Sequence, residues 1–337
     1  MLSQSWQPTA VADNGTAGRT KLAADKDFAE SAAAPVEIVS RTLTMSADES
    51  RHVRARLEAT SPTTAIVGMT ARIKCVVAGD TTDTAVGVTA ASARNHEGYD
   101  TTTYATPGHL PVYADLLFTA PAAGTYKCGL YGSTYASSTD GYSLTAVADS
   151  TWIETSDSAQ KGAHWWQSPA CPSGDTNGEC TYVGDGTANP DTFVFYDDGT
   201  PAYKWPADAT ATSIDALADV ELTTCYIGTA SCAASMQEYA RGTNAKVTLT
   251  LQLIQLDATG HSCRTTEQEV TRTITDDAHH YVANLSLSGV AFSSACDTRN
   301  FVLRVHVEHI QGQTVKVDGV QGSGTSLTNA IAMNRFA

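Results

Sequence analysis

The sequence predicts an all-β protein made of two antiparallel β-sandwich domains that are stapled by disulfides, the first immunoglobulin-like, joined by an aromatic-rich loop region. Alternating apolar and polar residues, the pattern of half-buried strands, recur from residue 36 onward. No sustained helical stripe of apolar residues competes with this pattern. The cysteines are even in number, and no two form a Cys-x-x-Cys unit, which argues against zinc ribbons and redox motifs.

Composition and charge limit the classes of function. The 337 residues carry 21 basic and 36 acidic side chains, which gives a formal net charge of −15. Such a charge repels phosphate, so it disfavours a nucleic-acid partner and adhesion to anionic membranes. No stretch approaches the roughly 18 apolar residues of a transmembrane helix, so no membrane span is expected. The Ala- and Thr-rich composition is typical of a bacterial protein.

The first part of the chain divides into an arm and a domain. Residues 1–35 are polar and Ala-rich, which predicts a flexible N-terminal arm. Residues 36–150 form the first predicted sandwich. Val53, Ala55 and Leu57 alternate with charged residues, as expected for a strand with one buried face.

A second motif refines the fold of this domain. Gly124-Thr125-Tyr126-Lys127-Cys128 places Tyr126 two residues before Cys128, and Cys75 stands on an earlier strand. This arrangement resembles the immunoglobulin-like β-sandwich modules of bacterial extracellular proteins, over about residues 36–150. The resemblance implies a tyrosine corner, in which Tyr126 ties its strand to the preceding loop. It implies a fold but no activity.

The second part of the chain changes in character before strands return. Residues 151–206 are rich in aromatic residues, Gly and Asp, and we predict loops and short hairpins packed on the second domain. Residues 207–337 form the second predicted sandwich. Val247, Leu249 and Leu251 share one face of a strand there, and residues 301–307 show the same alternation.

The cysteines are expected to pair in sequence order. The predicted disulfides are Cys75–Cys128, Cys171–Cys180, Cys225–Cys232 and Cys263–Cys296. Turn-rich intervals separate the two closest pairs, and such loops can bring two Cβ atoms together. Four bridges require an oxidising compartment, so the protein is expected to be secreted or held at the cell surface. No export signal is visible in the sequence.

The aromatic residues of the middle region are the strongest functional feature. The candidate ligand or partner surface consists of Trp152, Trp165, Trp166, Tyr182, Tyr196, Tyr203 and Trp205. Exposed Trp and Tyr rings stack on sugar rings, while neighbouring polar side chains bind hydroxyl groups. The same rings would equally serve as hot spots of a protein interface. A third interpretation is a small core that covers a disulfide-bridged loop.

Metal and cofactor signals are weak, and no cofactor or firm metal site is predicted. Asp175, Asn177 and Glu179 offer oxygens at alternate positions, as calcium loops do, and form the candidate structural calcium site. Asp and Asn are also ordinary turn residues. His306 and His309 are three residues apart, so in a strand their side chains have opposite parity and point to opposite faces. This argues against joint ligation of a metal ion.

These features predict a non-catalytic secreted or cell-surface protein that binds a protein or glycan through loops on β-sandwich domains. The first alternative is a structural subunit of an extracellular filament or assembly, which self-assembles when its N-terminal arm adds a strand to a neighbour. The second alternative is a carbohydrate-active hydrolase with a carboxylate pair such as Asp197 and Asp215. No His-Glu-x-x-His or Gly-x-Ser-x-Gly motif supports an enzyme.

Overall fold

The protein is built from strands, as the sequence predicts. The computed structural model describes residues 18–29, 35–60, 67–95, 110–136, 143–156, 159–166, 180–184, 191–195, 204–224, 243–274, 280–318, 320–321, 325–326 and 328–336. These residues form antiparallel sheets without an α-helix, so the all-β class is confirmed. No helix capable of crossing a membrane occurs among them.

The chain divides into two compact units. The first comprises Met1–Gln160 with His280–Val282, and the second comprises Lys161–His279 with Ala283–Ala337. The first unit therefore extends past the predicted domain boundary at residue 150. Trp152 belongs to this unit, whereas Trp165 and Trp166 belong to the second.

Ten strands form two sheets in the first unit. They are β1 (Gly18–Lys21), β2 (Lys26–Phe28), β3 (Val36–Met45), β4 (Ser50–Thr60), β5 (Val67–Val77), β6 (Ala85–Asn95), β7 (Leu110–Thr119), β8 (Gly124–Ala136), β9 (Leu144–Ala146) and β10 (Trp152–Thr155). In sheet I, β4 pairs with β7 along one side. Along its other side β4 pairs with β10 and then with β9, and β10 pairs with β1 while β9 pairs with β2. Sheet II has the order β3-β8-β5-β6.

Alternation of side chains explains how the two sheets share one core. Val53, Ala55 and Leu57 of β4 are fully buried, and they cluster with Ile73 of β5 and Leu130 of β8. Because every second residue of a strand points to the same face, the charged residues between them face away from this core. The two-residue spacing of apolar side chains that the sequence shows is therefore the spacing that places one face of β4 in the core.

The cysteine and tyrosine motif lies in sheet II. Cys75 of β5 and Cys128 of β8 are direct cross-strand neighbours, with a Cα–Cα distance of 4.0 Å, and they form a disulfide. This bridge joins two strands of one sheet, unlike the bridge between sheets in antibody domains. The Tyr126 hydroxyl donates a hydrogen bond to the carbonyl of Ala122 at 2.5 Å, so the expected corner contact is present.

The N-terminal segment differs from the predicted arm. Strands β1 and β2 close one edge of sheet I, where they pair with β10 and β9. Leu22 and Phe28 are buried, and the Phe28 ring lies against Gly132, where a Cβ atom would be 3.0 Å away. The prediction of a flexible arm is therefore wrong for residues 18–29. Two apolar residues suffice for an edge strand, but they are too few to produce a strand pattern in the sequence.

The described strands of the second unit form two larger sheets and a two-stranded sheet. Its strands are β11 (Gly162–Trp166), β12 (Cys180–Val183), β13 (Asp191–Val194), β14 (Lys204–Pro206), β15 (Ser213–Thr223), β16 (Ala245–Leu256), β17 (Ser262–Ile274), β18 (His280–Ala291, apart from its first three residues), β19 (Asn300–Gln311), β20 (Val315–Asp318), β21 (Val320–Gln321), β22 (Thr325–Ser326) and β23 (Asn329–Arg335). Sheet III has the order β11-β23-β15-β20-β12, with β18 paired to β15. Sheet IV has the order β13-β19-β16-β17, with β14 paired to β19, and the two-stranded sheet is β21-β22.

A second disulfide lies in this unit. Cys263 of β17 is bonded to Cys296, which ends a short 3₁₀ helix at Ser294–Cys296. Both disulfides between described residues coincide with predicted pairs. Cys180 begins β12, whereas Cys171, Cys225 and Cys232 lie outside the described residues.

Replacing Phe28 with Ala tests whether the N-terminal segment is part of the folded unit. We expect a loss of about 3–5 kcal/mol in the free energy of unfolding, because a buried ring leaves a cavity. Urea unfolding followed by fluorescence measures this change. Lys26→Ala, on the exposed part of the same strand, is the matched control. Equal unfolding midpoints for the two variants would contradict the placement of β2.

Replacing both Cys75 and Cys128 with Ala tests the contribution of the cross-strand disulfide. The bridge closes a loop with a sequence separation of 53, so it restricts the unfolded chain. We expect the free energy of unfolding to fall by about 2–5 kcal/mol. The measurement is urea unfolding without reductant, and wild type with reductant added should shift in the same direction. A variant as stable as the oxidised wild type would refute the expectation.

Candidate functional site

The candidate site lies at a break in sheet III. Strands β20 and β23 follow one another along β15, with Asp318 opposite Glu221 and Asn329 opposite Asp219. Between them the chain leaves the sheet and forms the β21–β22 hairpin. Thr328 closes the break, because its hydroxyl accepts from the Glu221 amide at 3.0 Å and donates to the Asp318 carbonyl.

The outer neighbours of β23 and β20 are also two separate strands. Strand β11 pairs with β23 and ends at Trp166, while β12 pairs with β20 and begins at Cys180. Cross-strand partners lie on the same face of a sheet. Trp166, Asn329 and Asp219 therefore form a row across three neighbouring strands, which we call the β11–β23–β15 row.

The two faces of β15 differ in chemistry. Ala216, Ala218 and Val220 point to one face and are buried. The opposite face carries Asp215, Asp219 and Glu221, which are also no more than 3% exposed. Buried carboxylates require partners, since the loss of hydration is otherwise costly. Their partners come from neighbouring strands.

Asp215 is held by several groups. It accepts hydrogen bonds from the Gly289 amide at 2.7 Å and the Ser288 hydroxyl at 3.1 Å, and the Arg335 guanidinium lies 2.9 Å away. Asp219 accepts a hydrogen bond of 2.6 Å from the Asn284 amide. Asp215 thus joins β15, β18 and β23, which is a structural role. Its proposed hydrolytic partner, Asp197, lies outside the described residues.

Trp166 is the exposed member of the β11–β23–β15 row. Its ring is stacked on His164, two residues earlier on the same face, at a centroid distance of 4.2 Å and an angle of 30°. The residue is 40% exposed. One face of the ring thus has a fixed neighbour, while much of the side chain stays accessible. Such a ring is able to stack on a flat apolar surface of a ligand.

Asn329 lies between Trp166 and Asp219 and is 1% exposed. Its Oδ1 is 3.0 Å from Nε2 of His164, so the His164 ring is oriented by this contact. The buried Nδ2 group has no hydrogen-bond partner in the described part of the chain. An unsatisfied buried donor costs about 1–3 kcal/mol, so this group favours an acceptor from water or a ligand.

A polar clamp holds the start of β11. The Lys161 ammonium is 2.7 Å from the Asp208 carboxylate, and Asn334 donates from its side chain to the Lys161 carbonyl at 2.9 Å. The Thr210 hydroxyl also donates to Asp208. The hydrogen bond from Lys161, followed by those from Thr210, holds the pKa of Asp208 well below its usual value. The clamp fixes the strand that carries His164 and Trp166.

The predicted aromatic surface is divided by the fold. Trp165 faces the opposite side of β11 from Trp166, where it lies across from Ala330 and is half-buried. Trp152 is 8% exposed and lies under the Arg19 guanidinium at 4.0 Å, in the first unit. Trp152 and Trp165 are therefore less exposed than Trp166, so the residues of the candidate surface differ in their access to a ligand. Large aromatic rings are mostly buried when a sheet face is available to them.

Two other residues of the predicted surface are buried. Tyr182 and Trp205 are buried in β12 and β14, at 5% and 9% exposure. Tyr196 and Tyr203 lie outside the described residues, as do the calcium candidates Asp175, Asn177 and Glu179.

The two weighed histidines have separate partners. His306 contacts Asp191 at 2.9 Å and stacks on Phe193, while Nε2 of His309 contacts the Gln313 carbonyl at 3.0 Å. The structure does not bring these two rings to one metal position, in agreement with their opposite parity.

Comparisons with known proteins give no family. No protein-family model matches the chain, and no curated protein matches it. Among solved structures, it is similar to broad bean stain virus at 8% identity and a TM-score of 0.28, covering 99% of this chain and 93% of the other.

Two further structures show a similar level of likeness. A peptide-N(4)-(N-acetyl-β-D-glucosaminyl) asparagine amidase has 8% identity and a TM-score of 0.37, with 96% and 97% of the two chains covered. The tandem CBM22 domains of Xyn10C from Paenibacillus barcinonensis have 10% identity and a TM-score of 0.22, with 96% and 95% covered. At these TM-scores the likeness supports no inference about ligand or activity.

The clamp predicts how acid affects stability. Asp208 has a lowered pKa in the folded protein, so its contribution is present above the unfolded pKa of about 3.9 and is lost as the pH falls below it. We expect Asp208→Asn to be less stable than wild type at about pH 6, and the difference to shrink near pH 3. Urea midpoints across this range test it. Asp149→Asn, at an exposed carboxylate 3.9 Å from Lys21, is the control. A constant difference across the pH range would contradict the role of the ion pair.

Proposed function

We propose that the protein is a secreted, non-catalytic binding protein that recognises a glycan at the β11–β23–β15 row. The observation that carries this proposal is the exposed Trp166 ring beside the unpartnered Nδ2 of Asn329. A sugar presents an apolar ring face for stacking and hydroxyl groups for hydrogen bonds. Trp166 suits the ring face, and Asn329 suits a hydroxyl oxygen.

The geometry of the row supports a glycan over a protein partner. Trp166 is the single exposed ring among the described members of the predicted aromatic surface, whereas protein interfaces use clusters of aromatic anchors within a large buried patch. Polar groups lie next to it on the adjoining strands. One stacking ring with a few placed polar groups is the arrangement that a small polar ligand needs.

The proposed location outside the cytosol is supported by the two disulfides, Cys75–Cys128 and Cys263–Cys296. Disulfides persist in oxidising compartments and are rare in the cytosol. The structural-subunit alternative has less support, because residues 18–28 pair within their own sheet instead of standing ready for a neighbour. The hydrolase alternative has less support because Asp215 is engaged by Arg335 and Gly289.

The pair Trp166→Ala and Trp165→Ala tests the proposed site. The two residues are chemically identical and adjacent, yet they face opposite sides of β11. Stacking against a large ring contributes about 1.5–3 kcal/mol, so Trp166→Ala should lower glycan affinity by about tenfold or more. Trp165→Ala should retain affinity and lose stability instead. A glycan array followed by titration of the bound sugars supplies the measurement.

Three results would overturn the proposal. The first is a wild-type protein that binds no glycan on the array. The second is equal affinity of wild type and Trp166→Ala for every bound sugar. The third is chemical turnover of a bound glycan, which would instead support a hydrolase.

A further inference from the structure

The outer face of sheet II carries a group of basic residues in the first unit. Arg72 and Lys74 of β5 alternate with core residues and share this face with Lys127 and Tyr131 of β8, because Arg72 is paired with Tyr131 and Lys74 with Gly129. All four belong to the first unit, whereas the residues of the candidate site belong to the second. In a chain with a net charge of −15, such a group is unusual.

Two carboxylates on this face are already engaged. Glu37 lies 2.7 Å from the Lys127 ammonium and accepts a hydrogen bond from the Tyr131 hydroxyl at 2.9 Å. Asp83 forms an ion pair with Lys74. Among the described side chains of this face, three cations therefore lie beside two anions, and the remaining positive charge is that of Arg72.

Arg72 is half-buried, and its buried Nε atom has no hydrogen-bond partner in the described part of the chain. No ion pair with a described carboxylate opposes the burial of its charge, and burial lowers the pKa of Arg72. A cation that has lost part of its hydration without gaining a partner is unfavourable. Binding of an external anion to Arg72 would therefore offset this cost.

Tyr131, the cross-strand neighbour of Arg72, packs against the sheet beside it. Its side chain is buried and its ring covers Gly129, where a Cβ atom would be 2.7 Å from a ring carbon. The Lys74 ammonium is 4.5 Å from the centre of the same ring, a cation–π distance. The hydroxyl residues Ser40 and Thr70 lie on the same face and are half-buried.

We propose that the outer face of sheet II binds an acidic polysaccharide, with the Arg72 guanidinium receiving a carboxylate of a uronic acid residue. A guanidinium matches a carboxylate with two parallel hydrogen bonds. Ser40, whose side chain also hydrogen-bonds to Glu37, and Thr70 place hydroxyl groups on the same face. Among the described residues this part of the face carries cations, hydroxyl groups and the Tyr131 ring. Charge and hydroxyl chemistry together therefore favour an acidic sugar over an acidic peptide.

The test compares two forms of one sugar. Calorimetric titration of the full chain with an oligogalacturonate, and with the same oligomer fully methyl-esterified, separates the carboxylate from the sugar ring. Binding should be found only for the free acid, and it should weaken as salt is added. Arg72→Ala should lower affinity at least tenfold, and Arg72→Lys should lower it less. Arg19→Ala, at an arginine already paired with Glu154 at 2.6 Å, should leave it unchanged.

A stability measurement distinguishes a binding role from a structural one. Because Arg72 lacks a partner, Arg72→Ala should unfold at the same urea concentration as wild type or a higher one. A large loss of stability would make Arg72 structural and overturn the proposal. Equal binding of the esterified oligomer, no binding of the free acid, or tighter binding of polyglutamate would each overturn it as well. Since Trp166 is in the other unit, Trp166→Ala should bind the oligogalacturonate normally.

Discussion

The strand register of β15 is the constraint on which the candidate site depends. One face of β15 is apolar and the other carries Asp215, Asp219 and Glu221. A shift of one residue against β23 would move these carboxylates into the apolar interior and bring alanines to the polar face. Asp215 prevents this, because it bonds to β18 and to Arg335 of β23 at the same time. With the register fixed, Trp166 lies beside Asn329 and Asn329 beside Asp219.

Short-range patterns could be predicted from the sequence, and long-range pairing could not. The alternation of Val53, Ala55 and Leu57 identified a strand and its buried face, and the spacing of Tyr126 and Cys128 indicated the corner contact. The β11–β23 pairing is different, because His164 and Asn329 are 165 residues apart. No local signal connects them. Alternation along the strand could still have predicted that His164 and Trp166 share one face of β11 and that Trp165 lies on the other, since side chains alternate along any strand.

The aromatic residues show why composition is a poor guide to a surface. Trp152, Tyr182 and Trp205 are close in sequence, yet each is buried on its own strand. Large rings contribute most to stability when they are removed from water, so a cluster of them in sequence indicates packing at least as strongly as binding. Exposure of Trp166 is therefore more informative than the count of rings around it.

Asn329 and Arg72 share a property that folding alone does not explain. Each holds a polar group away from water with no partner among the residues that the structure describes, and each lies beside an aromatic ring on a sheet face. An apolar residue of similar size would avoid this cost, because the stability lost by an unsatisfied buried group exceeds the gain of a typical hydrogen bond. A ligand that supplies the missing acceptor or anion recovers that free energy on binding. The same energetic argument therefore leads to both sites, although one lacks an acceptor and the other a negative charge.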